Sequence, residues 1–462
     1  MTRTVFSALL LIAAVPAVAQ QPVTLVDTKV AALRDAALSD DLAWEITEGL
    51  TTEVGPRLAG TLAEARARDW AVRKLRSLGF SNVRVDPFEM TVWSRDIGSE
   101  SAYVVDPFPQ RLAVTALGNS AATPRGGIEG RVVGFDNVDE LAAAPDADVR
   151  GKIVFVSHAM PRTQDGSSYG VFGRARREGP SIASRKGALA IVIRSIGTDY
   201  HRNPHTGTQS WGEGVTPIPA AALSLPDAEQ LQRILKRGQP VVLRLNLQNE
   251  RSEGASGNVI AEVPGRDPAA PPILVGCHLD SWDLGTGAID DAAGCAIVAS
   301  AAKRVMDAGR PLRTIRVVWF GAEEVGLFGG LDYRAKYGKQ PHYALAESDF
   351  GAGRVWRVDS NLGESRKAEG EALQRALAPL GIVAGDLTKA GGSDIGPMLA
   401  DGLPGVELQQ DGTYYFDLHH TPDDTLDKVD KDDLRQNVAA WTAMLAVLSG
   451  GIESGPKRRS RR

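Results

Sequence analysis

Hydrophobic and polar positions follow three regimes along the chain. From about residue 28 to 79 the apolar spacing is helical. Ala31, Leu33, Ala36, Ala37 and Leu38 open this stretch, and Asp40 is placed to cap a following segment. Gly55-Pro56-Arg57-Leu58-Ala59-Gly60 interrupts as a loop, and a helix over 62–78 stops at Gly79. Residues 82–92 then alternate as a strand does. Between about 101 and 252 the runs are short and strand-like (130–135, 152–156, 188–193, 240–247) and glycine-rich loops separate them. The polar, glycine-rich stretch 160–179 reads as a surface loop. From 258 strand, loop and helix alternate. Strands are expected at 273–277, 314–320 and 343–346, and helices at 292–308 (ending at Gly309), 371–380 and 432–448, the last capped by Asp430. Such alternation predicts an α/β sheet with helices on both faces. No internal repeat is present.

A chain of 462 residues exceeds the size at which one core stops growing, so two domains are expected. The middle regime, 101–252, reads as a β-rich module inserted into a domain formed by 20–100 and 253–450. A composition of 43% hydrophobic and 24% charged residues is that of an ordinary globular protein, and a net charge of −5 gives no footprint for nucleic acid. Arg3, an apolar run over 8–15 and Ala17-Val18-Ala19 form a secretory leader, 1–19, cleaved after Ala19. No later segment is apolar enough to span a membrane, so an exported protein, secreted or periplasmic, is expected. Residues 451–462 form a basic tail, with Lys457, Arg458, Arg459, Arg461 and Arg462, read as flexible and solvated.

The chemistry-bearing residues fall just after predicted strands, where open α/β sheets build their sites. Three of the seven histidines sit in acidic, glycine-rich motifs. Gly276-Cys277-His278-Leu279-Asp280 ends a strand, and Asp280 is placed to accept the second imidazole N–H of His278. In Gly287-Ala288-Ile289-Asp290-Asp291-Ala292-Ala293-Gly294 two acids open a helix. Asp291 suits the helix dipole, and the carboxylate of Asp290 can bridge two cations. Glu323-Glu324 follows a hydrophobic strand, a costly place for unpaired acids unless one neutralises a metal and the other handles a proton. Glu347-Ser348-Asp349 follows another strand. His419-His420-Thr421-Pro422-Asp423-Asp424-Thr425 offers two histidines pointing in different directions, of which one is a ligand. Each motif alone has a bland reading as a solvated turn or a helix start. A serine hydrolase finds no Gly-x-Ser-x-Gly elbow ahead of a predicted helix. His201, His205 and Trp211 have no acidic pattern beside them and read as loop residues. Cys277 and Cys295 could pair in an exported protein, and two free buried thiols would be equally ordinary.

Taken in order, these motifs resemble those of the co-catalytic zinc aminopeptidase family, which includes carboxypeptidase Q and glutamate carboxypeptidase II. Gly55-Pro56-Arg57-Leu58, His278-Leu279-Asp280-Ser281-Trp282-Asp283, Glu347-Ser348-Asp349 and His419-His420 give the likeness a carboxypeptidase Q character over about residues 28–448. The resemblance implies a zinc-peptidase sandwich, a mixed central sheet flanked by helices, with an inserted protease-associated domain. It implies two Zn2+ ions bridged by Asp290, one completed by His278 and Asp349 and the other by Glu324 and His420. His420 is taken over His419 because it lies four residues before the Asp of Asp424-Thr425. Glu323 becomes the general base, and Asp280 the residue that orients His278. The implied activity is hydrolysis of dipeptides, or release of N-terminal residues from short peptides. Pairing as a homodimer is implied as well, without an interface legible here. Gly391-Gly392-Ser393-Asp394 is similar to a loop near the substrate, while Tyr414, Tyr415 and Phe416 read chiefly as core packing. Two other readings share the fold: a glutaminyl-cyclase-like activity with one zinc, and a non-catalytic binding scaffold.

Overall fold

The computed structural model describes residues 25–453, so the expected leader and the arginine-rich end of the tail lie outside the described residues. A mixed eight-stranded sheet forms the centre. Its order is Ser81–Arg95, Asn249–Val263, Ile315–Phe320, Ile273–His278, Ala344–Glu347, Gly405–Gln410, Val355–Asn361 and Val383–Ala384. The four strands from Ile315–Phe320 to Gly405–Gln410 run parallel, and the strands on either side of this block join it antiparallel. Three of the parallel strands are nearly continuous apolar runs, as strands covered on both faces must be.

Period-two alternation divides their side chains between two cores. Val259, Ala261, Ile273, Val275, Ile315, Val317, Ala344 and Ala346 face one side, where they meet the helices Ala293–Ala308 and Lys431–Leu448. Ile260, Leu274, Val318, Phe320 and Leu345 face the other, against Tyr333, Ile395 and Met398 of the helical segment around Phe328–Tyr337 and Gly396–Ala400. Asp430 caps the last long helix by accepting from the Asp432 and Asp433 amides, as expected. The helix expected at 371–380 begins earlier, at Lys367, and ends at Leu377. Its first turn is charged and carries only Gly370 inward, so the apolar signal starts late.

A second eight-stranded sheet lies between Ser101 and Asn246. Ser81–Arg95 and Asn249–Val263 pair along their length and form its stem. Residues 160–179 are not the expected surface loop. Ser167–Phe172, Arg174–Arg177 and Gly179–Arg185 are short helices, and Ala175, Arg176 and Pro180 are buried. Polar and glycine residues obscure the helical period here because this segment lines a cavity.

Candidate metal centre

The carboxyl ends of the parallel strands converge on one cavity. His278 is the last residue of Ile273–His278, Glu323 and Glu324 follow Ile315–Phe320, and Asp349 follows Ala344–Glu347. Asp290 stands in the non-helical turn before Ala293–Ala308, and His420 adopts a left-handed backbone with φ of 62°. Asp290 presents one oxygen to each histidine. Its Oδ1 is 3.0 Å from Nε2 of His278, and its Oδ2 is 3.3 Å from Nε2 of His420. Asp349 Oδ1 lies 3.3 Å from the same His278 nitrogen, and Glu324 Oε2 lies 2.9 Å from that of His420.

These residues fit a pair of cations. His278 Nδ1 lies 2.9 Å from the Asp280 main-chain carbonyl, which fixes Nδ1 as the donor and leaves the Nε2 lone pair facing two carboxylates. Carboxylate oxygens this close to an imidazole nitrogen need a cation between them, either a proton on the ring or a metal ion. Asp290 Oδ2 and Glu324 Oε1 are buried and lack hydrogen-bond partners. Imidazole nitrogen and carboxylate oxygen are the donors zinc prefers, and three carboxylates with two neutral imidazoles leave two dications at a net charge of about +1.

Two neighbouring clusters could also be considered for metal. His419 lies with Asp290 and His420, but its Nε2 is farther from Asp290, at 3.7 Å, and its ring stacks on His420 with centroids 3.4 Å apart. Cys277, Asp291 and Cys295 also cluster, but the two cysteines form a disulfide. The pairing settles the choice the sequence left open, and it ties the strand of His278 to the helix behind Asp290.

Main-chain positions around the site are set by buried charges. The Asp280 carboxylate, 3.8 Å from His278 Nδ1, instead accepts from the Glu323 amide at 3.0 Å and the Glu324 amide at 3.3 Å. Asp291 accepts from the His278 and Gly294 amides, each at 3.1 Å. A Cβ on Gly294 would lie 2.1 Å from the Ser348 carbonyl, so only glycine lets this helix approach. Asp424 accepts from the Ile289 and Asp290 amides at 2.6 and 3.3 Å, and burial followed by the charge of Asp290 pushes its carboxyl up to about 7. Burial, then Asp349, pushes the Glu347 carboxyl up to about 8, where it accepts from the Asp394 and Ile395 amides. Burial and then the charge of Asp349 also hold the half-buried Glu323 carboxyl well above its ordinary range. Arg57, fully buried, donates to the carbonyls of Leu279, Thr286 and Gly287 at 2.5, 2.6 and 2.8 Å. It joins the loop after His278 to the loop before Asp290.

The second sheet's domain supplies the rest of the wall. His205 is not a free loop residue. It is buried with Nε2 2.7 Å from Asp199 and Nδ1 2.7 Å from the His419 carbonyl. Thr206 N–H donates to the His420 carbonyl at 3.1 Å. His201 Nδ1 lies 3.3 Å from Asp423, and Trp211 Nε1 donates to the Asn119 carbonyl at 2.7 Å. Tyr169, Arg176, Arg177 and Thr208 share the cavity, of about 300 Å³, with Asp290, Glu323, Glu324, Asp349 and Ser393. Tyr415 and Phe416 are buried on its edge, whereas Tyr414 is exposed rather than packed in a core. One Gly-x-Ser-x-Gly run does open a helix, at Gly166-Ser167-Ser168-Tyr169-Gly170. Its central Ser168 donates to the Pro161 carbonyl at 2.8 Å and has Thr163, not a histidine, as its other side-chain partner.

Residues 258–445 match the model of peptidase family M28. Carboxypeptidase Q of Bos taurus is 34% identical over 414 residues, covering 88% of this chain and 85% of the relative. The chain belongs to peptidase family M28. The Homo sapiens carboxypeptidase Q is 32% identical over 412 residues, 88% of this chain and 85% of its own length. Among solved structures, an M28 peptidase precursor from Shewanella amazonensis superposes with a TM-score of 0.88 at 45% identity, covering 94% of this chain and 98% of that one. An Aneurinibacillus aminopeptidase at 21% identity and TM-score 0.65, covering 93% and 97%, shares the fold. The M28 model begins beyond the second sheet, which is thus an addition preceding the matched region. Fold and ligand clusters together support a zinc-dependent exopeptidase.

Proposed function

We propose that this chain is a dinuclear zinc exopeptidase that hydrolyses dipeptides or releases N-terminal residues from short peptides. The observation that carries the reading is the division of Asp290, one oxygen toward His278 and Asp349 and the other toward His420 and Glu324. His278, Asp290 and Asp349 would hold one ion, and Asp290, Glu324 and His420 the other. Bound there, a pair of zinc ions lowers the pKa of a water and polarises the scissile carbonyl.

The remaining work falls to side chains. Glu323 is half-buried on the same cavity wall, and two dications beside it would offset the burial and the Asp349 charge that raise its carboxyl, leaving it ionised and able to accept a proton. It takes the proton from the attacking water and delivers it to the departing amine nitrogen. Asp280 holds the amides of Glu323 and Glu324, so the base and one ligand keep a fixed spacing. The buried rings of Tyr415 and Phe416 line the cavity and limit water around the reacting bond. We assign the second sheet to a protease-associated domain on the strength of its place in the chain. The leader expected at 1–19 fits a secreted or periplasmic enzyme, and no described helix is long and apolar enough to cross a membrane.

The test is hydrolysis of free dipeptides, N-blocked dipeptides and longer peptides with free N-termini, with and without a chelator. Chelator-sensitive cleavage that requires a free N-terminus supports the proposal. Metal binding without cleavage, or cyclisation of N-terminal glutamine instead, refutes it.

A further inference from the structure

The two ligand histidines stand on supports of unequal firmness. His278 ends a strand of the central sheet, where it pairs with Phe320. Its amide is held by Asp291, and the residue before it is tied by the disulfide to the helix behind. His420 lies in a loop, and its φ of 62° is a left-handed backbone that a residue with a bulky side chain keeps only where its surroundings hold it. Much of that hold comes from the second sheet's domain. The Thr206 N–H donates to the His420 carbonyl at 3.1 Å, and His205 Nδ1 lies 2.7 Å from the His419 carbonyl. Trp282 stands on another side, its ring centroid 5.7 Å from that of His420.

One side chain joins these supports. Arg95 is the last residue of the stem strand Ser81–Arg95, and its side chain has no exposed surface. Its Nε lies 3.1 Å from each oxygen of Asp283, which Nη2 also meets. Its Nη1 donates to the second domain: to the Thr115 hydroxyl at 2.7 Å, the Ala116 carbonyl at 2.8 Å and the Thr206 hydroxyl at 3.2 Å. The guanidinium also lies over the Trp282 ring, 5.9 Å from its centroid. Arg95 thus grips Thr206 with one edge and Asp283, the neighbour of Trp282, with the other. A planar fork of donors can do this, and a single ammonium cannot. We infer that Arg95 is a positioning residue, which clamps the inserted domain onto the His420 loop and so sets how tightly the ion on Glu324 and His420 is held. The ion on His278 and Asp349 is insulated from it. Asp280, anchored on the Glu323 and Glu324 amides, stands between Asp283 and His278 in the chain. This inference rests on the two-ion reading and gives the inserted domain a share in holding one of the ions.

The test measures zinc stoichiometry against chelators of graded affinity, with the thermal midpoint, for the full chain and two variants. Arg95→Lys is expected to weaken one ion by about 10- to 100-fold, the usual effect of losing a residue that orients a ligand, and to keep the other. Its kcat at limiting zinc should fall and excess zinc should restore it, with KM for a free dipeptide changed by less than about twofold. Thr206→Val, which removes the hydroxyl and keeps the amide, should weaken the same ion by about three- to tenfold, the worth of one hydrogen bond. Zinc-edge diffraction from Arg95→Lys crystals should show the weakened ion beside Glu324. Unchanged affinity for both ions in either variant, equal weakening of both in step with the midpoint, or loss of the ion beside Asp349 overturns the assignment while leaving the two-ion site standing. A wild type that binds fewer than two zinc ions overturns the two-ion reading, and this inference with it.

Discussion

Asp280→Asn separates two ways in which this carboxylate could serve the site. A role as partner of the His278 imidazole would make the ion on His278 and Asp349 the one that suffers. The geometry argues otherwise: His278 Nδ1 meets the Asp280 main-chain carbonyl at 2.9 Å, and the carboxylate accepts the Glu323 and Glu324 amides at 3.0 and 3.3 Å. Asparagine keeps one acceptor and turns an NH2 donor toward the other N–H. One charge-assisted bond is lost and the second becomes neutral, which costs about 2–4 kcal/mol in a site from which water is excluded. The turn carrying both the base and a ligand then loosens. The expected result is a roughly 10- to 100-fold weaker ion on Glu324 and His420, with the ion on His278 and Asp349 retained. Turnover should fall by about a hundredfold, as a misplacement near 1 Å would cause. Zinc stoichiometry against chelators of graded affinity, read beside urea unfolding, measures both effects. Preferential loss of the His278 ion, or unchanged stability and stoichiometry, would refute the reasoning.

Glu323→Gln should keep both ions, by metal analysis, and lose about 10²- to 10⁴-fold in kcat, since it removes only the proton carrier. Chelation should lower the thermal midpoint: ligand present at a thousand times its Kd stabilises by about 4 kcal/mol, and calorimetry with and without zinc reads the difference. Arg57→Met should destabilise by about 3–5 kcal/mol in denaturant unfolding, because three buried carbonyls lose their donor. Burial raises the Glu64 carboxyl, against the opposing pull of Arg68. The folded state therefore holds that proton more tightly than the unfolded chain, and the stability tied to it is lost as pH rises through the raised value. Glu64→Gln should accordingly gain on the wild type in unfolding free energy as pH rises above the ordinary glutamate value of about 4.3, and a difference that does not change with pH would contradict the argument.

What the sequence disclosed follows from what each signal depends on. The parallel strands were legible because strands covered on both faces must be apolar throughout, and the acids and histidines at their ends stood out against those runs. His278, Asp290, Glu324, Asp349 and His420 were named from their order, and the structure brings their side chains together. Supporting charges were harder to see. Arg57 sits in a short loop and Asp424 in an acidic run, where nothing local distinguishes a buried donor or acceptor from a solvated one. His205 was read as a loop residue because its Nδ1 partner, the His419 carbonyl, is 214 residues away and is a main-chain group, and Asp199, which meets its Nε2, escaped notice. The helices of 167–185 were hidden by glycine and arginine, residues placed for the cavity rather than for helical period. The disulfide could not be chosen over free thiols, since pairing depends on how the strand and helix pack.

Anomalous diffraction at the zinc edge, from crystals of the zinc-loaded full chain, tests the central claim most directly. Two peaks roughly 3.5–4 Å apart, one beside each Asp290 carboxylate oxygen, are the predicted result. A single peak, or peaks held by residues other than Asp290, would contradict it.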